Sequence, residues 1–293
     1  MIYLNKEEYN KLIYNKLSNE SLFKEEFLEL FKIYNIIHFF IRQIYKENDQ
    51  PNILIAAQLI FHKYRICSDF SLKKYSPLDL YIILGSCLFI GQQSINILNK
   101  KIVNISSIIK QIINKKYPKM NVDINNINKK IIKTEYEILT KIGFNIDIDS
   151  PFNFFEILKG YLSKYQIDPT HFNTLLKYII QDCYILPIPL YYSPNIISIS
   201  SVIFLKNKYN LKSINIKELI SLSNYEIDIN EIEACIDLIV KIENAINEKK
   251  NKINNNNAIN KDNKDKKVNN ENRVNSSCSN LSTEDYYNKK ISF

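Results

Sequence analysis

The chain has 293 residues, 45% hydrophobic and 24% charged, which is enough for one large or two ordinary domains whose core needs no disulfide or metal. No apolar run approaches the length of a bilayer-spanning helix, and four glycines without a GxGxxG or GxxxxGKS/T pattern exclude a glycine-rich loop that cradles phosphate. The net charge of +8 is carried almost wholly by lysine; only Arg42, Arg65 and Arg273 offer bidentate contacts to phosphate or guanine, so the excess reads as a lysine-solvated surface and no direct nucleic-acid partner is expected.

Taken in chain order, apolar residues recur with helical period in stretch after stretch. The pattern predicts helices over 6–18, 23–46, 51–66, 77–92, 101–116 and 125–143, then, after the linker NIDIDS, over 151–164, 169–185, 194–208, 215–222 and 228–249. Ile53, Ala56, Ala57, Ile60, Phe61 and Tyr64 mark one buried face, as do Leu80, Ile83, Leu84 and Cys87; Ile131, Ile138, Leu139 and Ile142; Leu175, Ile179 and Cys183; Ile196, Ile199 and Ile203; and Ile232, Cys235, Ile236 and Ile239. Proline placement supports the starts, because proline is tolerated at the first helical position, where its missing N–H has no partner anyway. Ser76-Pro77, Ser150-Pro151, Asp168-Pro169 and Ser193-Pro194 each set a capping side chain before such a proline; Gln50-Pro51 is a weaker version, and Asp228 with Glu231 resembles a capping box.

The expected organisation is all-α: an N-terminal helix (1–22), two groups of about five helices (23–147 and 150–250), and a disordered asparagine- and lysine-rich tail (251–293). Asp147 and Asp149 alternate with Ile146 and Ile148 in the linker between the groups, which reads as a solvated extended segment and not as a catalytic carboxylate pair. The three histidines and five cysteines show no CxxC or HExxH spacing; His62 reads as a structural or surface histidine, and Cys87 and Cys183 as small core residues. The unpatterned cysteines suit a reducing compartment, and Lys6, Glu7 and Glu8 interrupt any apolar signal region, so cytoplasm or nucleus is expected.

Four segments carry a family resemblance by their order and spacing. QPNILIAAQLIFHKYR (50–65) contains the run Phe61-His62-Lys63-Tyr64; SLKKYSPLDLYIILGSCLFIG spans 71–91; IIKTEYEILTKIGFNIDIDSPFNFF spans 131–155; and YYSPNIISISSVIFL spans 191–205. Together these resemble the second, third and fifth helices of the first cyclin box and the third helix of the second box, and YLNKEEYNKL is similar to the short helix before the box. The resemblance covers about residues 3–248 and is to the transcription-type cyclins (C, H, K, L and T classes), nearest to C and H. His62 stands where cell-cycle cyclins carry an acidic residue.

What the resemblance implies is two stacked five-helix boxes that bind and activate a cyclin-dependent kinase, with no catalytic residue and no cofactor or metal of their own, acting in the nucleus in transcription, with a third assembly subunit left open. Activation of this kind biases a two-state kinase by a rigid face of apolar anchors and a few hydrogen-bonding groups. By motif position the implied kinase-binding residues are Gln93, Glu135, Leu139, Phe144 and Ile146. Glu135 interrupts an apolar stripe, and a carboxylate so placed needs a partner. The family's Lys-x-Glu-Glu pattern at the end of the third helix reads Gln93, Ser94, Ile95, Asn96 here, so positive charge is lost from the implied face. Two alternatives follow: a cyclin fold that binds nucleic acid, as in general transcription factors resembling TFIIB, and a scaffold that holds a partner without activating it.

Overall fold

The computed structural model describes residues 19–46, 50–68, 70–95, 102–120, 122–163, 169–223 and 227–265. Ten α-helices follow one another with no strand among the described residues: α1 Glu20–Tyr45, α2 Pro51–Cys67, α3 Pro77–Ser94, α4 Ile102–Lys116, α5 Ile124–Lys141, α6 Phe152–Ser163, α7 Pro169–Cys183, α8 Pro194–Lys208, α9 Ile216–Ser221 and α10 Ile229–Asp265. Five precede the NIDIDS linker and five follow it. The expected helix at 6–18, the Asp168 cap, Asn96 and the His171 side chain lie outside the described residues.

Most helix starts are chemically marked. The Ser76 and Ser193 hydroxyls accept from the backbone N–H groups of Asp79 and Ile196 at 3.1 and 3.4 Å, each just ahead of a proline, and Asp228 Oδ1 accepts from Asn230 N at 2.9 Å. Asn19, Asp123 and Asn215 cap α1, α5 and α9 in the same way. Gln50 makes no side-chain cap, so Pro51 alone marks that start.

The expectation of one buried face per helix holds for α1, where Phe23, Phe27, Phe31 and Tyr34 form a buried ladder with ring centroids 5.4–6.4 Å apart. It does not hold for α2, α3 and α8. Residues 53–62, 81–88 and 196–205 are buried on every side, because these helices run through the middle of their neighbours. On α7, Ile179 and Cys183 are buried as expected, together with Phe172, Leu176 and Ile180, whereas Leu175 is only half-buried.

Central helices create two needs, close approach and paired hydroxyls, and the sequence meets both. A Cβ built on Gly91 of α3 would lie 2.9 Å from Ala57 N and 3.2 Å from its Cα, so glycine there lets α3 and α2 touch backbone to backbone. The buried hydroxyls bond carbonyls: Ser86 of α3 donates to Ile131 O in α5 at 3.2 Å, and Ser200 of α8 to Ile232 O in α10 at 3.3 Å. Each half thus ties its central helix to the last helix of that half.

The chain forms two compact units, Met1–Ile239 and Val240–Phe293. Within the second, the described residues continue the α10 backbone to Asp265, so the asparagine-rich segment expected to be disordered from 251 begins as helix. The asparagine-rich composition of this stretch does not favour a helix by itself, but extending an existing helix avoids the cost of nucleating a new one.

Candidate partner-binding site

The site residues assemble where α5 ends. Along α5, Ile127, Ile131 and Ile138 face the core, which leaves Ile132, Glu135, Tyr136 and Leu139 together on another side of the same helix. Ile132 and Tyr136 are 56% and 67% exposed, unusual for an isoleucine and a tyrosine next to a tightly packed core. The Gln93 side chain, at the end of α3, hydrogen-bonds the Glu135 carboxylate; partial burial raises the Glu135 pKa, and this bond opposes that shift. The carboxylate's required partner is therefore an amide of the same chain.

Helix α5 stops in a left-handed turn that brings the remaining residues alongside. Gly143 N donates to Thr140 O at 3.3 Å, and Phe144 N donates to Leu139 O at 2.7 Å; together these form a Schellman motif with Gly143 at φ 65°. In that motif the residue after the glycine stands beside the residue three from the helix end, here Phe144 beside Leu139. Phe144 itself sits at φ 56°, a region that bulky residues avoid, yet its ring is 59% exposed. A strained backbone that presents an exposed aromatic ring is held there by its surroundings. Ile146, two residues on, is half-buried.

Helix α2 supplies those surroundings. Lys63 Nζ donates to Asn145 O at 3.0 Å and to Asn145 Oδ1 at 2.9 Å, with Asp147 O at 3.5 Å, and burial lowers the Lys63 pKa against the opposing pull of Asp147. At the other end of the linker Ser150 Oγ donates to Asn52 Oδ1 at 2.8 Å, and Ser198 Oγ reaches Pro151 O at 2.9 Å. Asp147 and Asp149 are exposed while Ile146 and Ile148 turn partly inward, as the alternation predicts.

The structure brings Gln93 to Glu135 and Phe144 to Leu139, all around the end of α5. Sequence reasoning missed Ile132 and Tyr136, whose signal was an apolar pair on the face of α5 opposite no neighbour. It also missed Lys63, a cation on a different helix, which stands at the edge of the face where Gln93 leaves none.

Elsewhere the titratable groups are structural. His62 is buried, with Nε2 2.9 Å from Tyr184 O; a carbonyl only accepts, so the proton sits on Nε2, and Nδ1 has no hydrogen-bond partner. Burial lowers its pKa to about 4. Cys87, Cys183 and Cys235 are buried free thiols whose pKa values burial raises. Among the described residues no group of three or more His, Cys, Asp or Glu side chains is placed to hold a metal ion, and no helix is long and apolar enough to cross a membrane.

No protein-family model and no curated protein sequence matches the chain. Among solved structures, a chain of the cryo-electron-microscopy structure of the yeast TFIIK (Kin28/Ccl1/Tfb3) complex is similar at 14% identity and a TM-score of 0.45, covering 72% of this chain and 86% of that one.

Proposed function

We propose that this chain is a cyclin of the transcription type: a non-catalytic regulatory subunit that binds and activates a cyclin-dependent kinase through the end of α5. The supporting observation is the composition of that face. Exposed Ile132, Tyr136 and Phe144 surround a half-buried Glu135 that is already oriented by Gln93. Apolar anchors around an oriented charged group are what a rigid face needs in order to hold a kinase's mobile regulatory helix in its active position. The five-and-five order of the helices about a tied linker, with a central helix in each half, supports two cyclin boxes over 23–147 and 150–250.

In this reading the face needs no lysine at position 93. Lys63, bonded to Asn145 O next to Phe144 and reaching Asp147 O, carries positive charge to the same edge. The complex acts in the nucleus on the RNA polymerase II tail or on another kinase. Affinity purification of the tagged chain from its own cells, with a kinase assay on the eluate, tests this. One cyclin-dependent kinase at near-equal stoichiometry, active on a polymerase-tail peptide and lost in the Glu135→Ala, Leu139→Ala double variant, is the expected result. Recovery of a kinase that is inactive favours the scaffold, and recovery of none refutes the assignment.

A further inference from the structure

Charge is unevenly distributed along this chain. Residues 102–133, the α4–α5 hairpin, hold seven lysines and one acidic residue, Asp123, and so account for +6 of the chain's +8, whereas 134–250 carry 11 basic and 15 acidic residues. Six of the hairpin lysines, Lys115, Lys116, Lys119, Lys129, Lys130 and Lys133, are exposed.

Folding ties two of them to α3. Lys116 Nζ donates to Tyr81 Oη at 3.2 Å, and Lys130 pairs with Asp79 at 3.7 Å; Asp79 and Tyr81 are two residues apart at the start of α3. The end of α4 and the first half of α5 are therefore both anchored at the start of α3, on different sides of that helix. Exposed Tyr117 and Met120 lie in the loop between them, among the lysines. On α5 Lys129 and Lys133 border the Ile132 and Tyr136 edge of the other face, since 129 and 132, like 133 and 136, are three residues apart on the helix.

We propose that the α4–α5 hairpin is a docking face for a short phosphoserine-bearing peptide. Lys129 and Lys133 are four residues apart on one helix, an arrangement that repels itself until an anion sits between the ammonium groups. A phosphate carries about −1.5 to −2 charge and three acceptor oxygens and so can satisfy both, whereas a carboxylate neutralises one. Tyr117 and Met120 match apolar side chains that a peptide has and a sugar-phosphate backbone lacks. The positive charge is confined to one short segment, and the 134–250 segment that follows is net negative, which suits a short peptide better than a long polyanion. Docking does not rest on the kinase reading; only its use, to hold a partly phosphorylated substrate near a bound kinase, does.

The test uses the full chain alone, by fluorescence anisotropy, with four probes: a doubly phosphorylated serine peptide, its unphosphorylated form, its Ser→Glu form, and a single-stranded RNA of equal charge. The phosphopeptide is expected to bind best. Lys115→Gln, Lys119→Gln and Lys129→Gln combined should weaken it about tenfold at physiological salt, while the matching Lys→Arg triple variant keeps it. Circular dichroism of both triples separates lost binding from lost fold. No preference for the phosphopeptide, an unchanged affinity in the Gln triple, or equal or tighter binding of the RNA each overturns the proposal. A chain that binds the phosphopeptide but recovers no kinase from cells keeps this inference and loses the kinase reading.

Discussion

Acidification should loosen the packing of α2 against the segment that follows α7, and His62 sets the size of the effect. In the folded chain the ring is neutral, 1% exposed, and donates through Nε2 to Tyr184 O. Protonation would place a charge in the core and add an Nδ1–H with no acceptor, which is why burial brings the pKa from 6.5 down to about 4. The folded pKa lies below the unfolded one, so the unfolded chain binds the proton more readily. The stability this group confers is therefore fully present above pH 6.5 and is lost as pH falls towards 4. A difference of about 2.5 units corresponds to about 3 kcal/mol by pH 4, at 1.36 kcal/mol per unit. Urea unfolding at pH 7, 6, 5 and 4 measures it, with His62→Gln as the reference, because its amide nitrogen falls near the position of Nε2, keeps a donor for Tyr184 O and does not titrate. Carboxylates elsewhere contribute equally to both proteins, so the wild type should lose about 3 kcal/mol more than the variant over this range. Parallel pH profiles for the two proteins would refute the reasoning.

Four further outcomes follow from the structure. Gly91→Ala pushes a methyl group onto the Ala57 backbone and should cost about 1–3 kcal/mol, read as a lowered urea midpoint with an unchanged slope. Gln58 is buried on α2 with neither amide atom hydrogen-bonded, so Gln58→Met, similar in volume and without those polar groups, should stabilise the chain by about 1 kcal/mol in the same assay. Phe144→Asn should move stability and partner binding in opposite directions: asparagine tolerates φ 56° and gains up to about 1 kcal/mol in thermal unfolding, while kinase recovery from cells falls. Glu135→Gln keeps the bond to Gln93 but removes the charge, so kinase recovery should drop with the melting temperature nearly unchanged.

The helices were legible because their signals are local. Ser-Pro pairs at 76–77 and 193–194 and the periodic isoleucines fixed α3 and α8 to within two residues at each end. What periodicity could not convey was enclosure. A buried face and a wholly buried helix differ only in what stands on the other side, so the sequence left His62 as either a structural or a surface histidine, and the structure buries it together with Gln58. The end of α10 was misplaced for a related reason: composition argues against nucleating a helix in the Asn-rich stretch but not against prolonging one that already exists.

The candidate site divides along the same line. Gly143 just after the last periodic residue Ile142 is a local stop signal, and as a Schellman glycine it returns Phe144 to Leu139; as candidate site residues those two were named by the family resemblance and not by spacing. Glu135 was recoverable as an anomaly, a carboxylate in an apolar stripe. Gln93 and Lys63 were not recoverable in their actual roles, because their partners lie 42 and 82 residues away in sequence and only the packing of α3 and α2 around α5 sets the distances. The apparent loss of charge at Gln93 then has a physical resolution. Under the proposed kinase reading, an ammonium at 93 would compete with the kinase for Glu135, whereas an amide leaves the carboxylate's charge uncompensated, with Lys63 bonded to the linker nearby. Gln93→Lys should therefore weaken kinase recovery by neutralising Glu135 in place, and stronger recovery in that variant would show that the face does lack a cation.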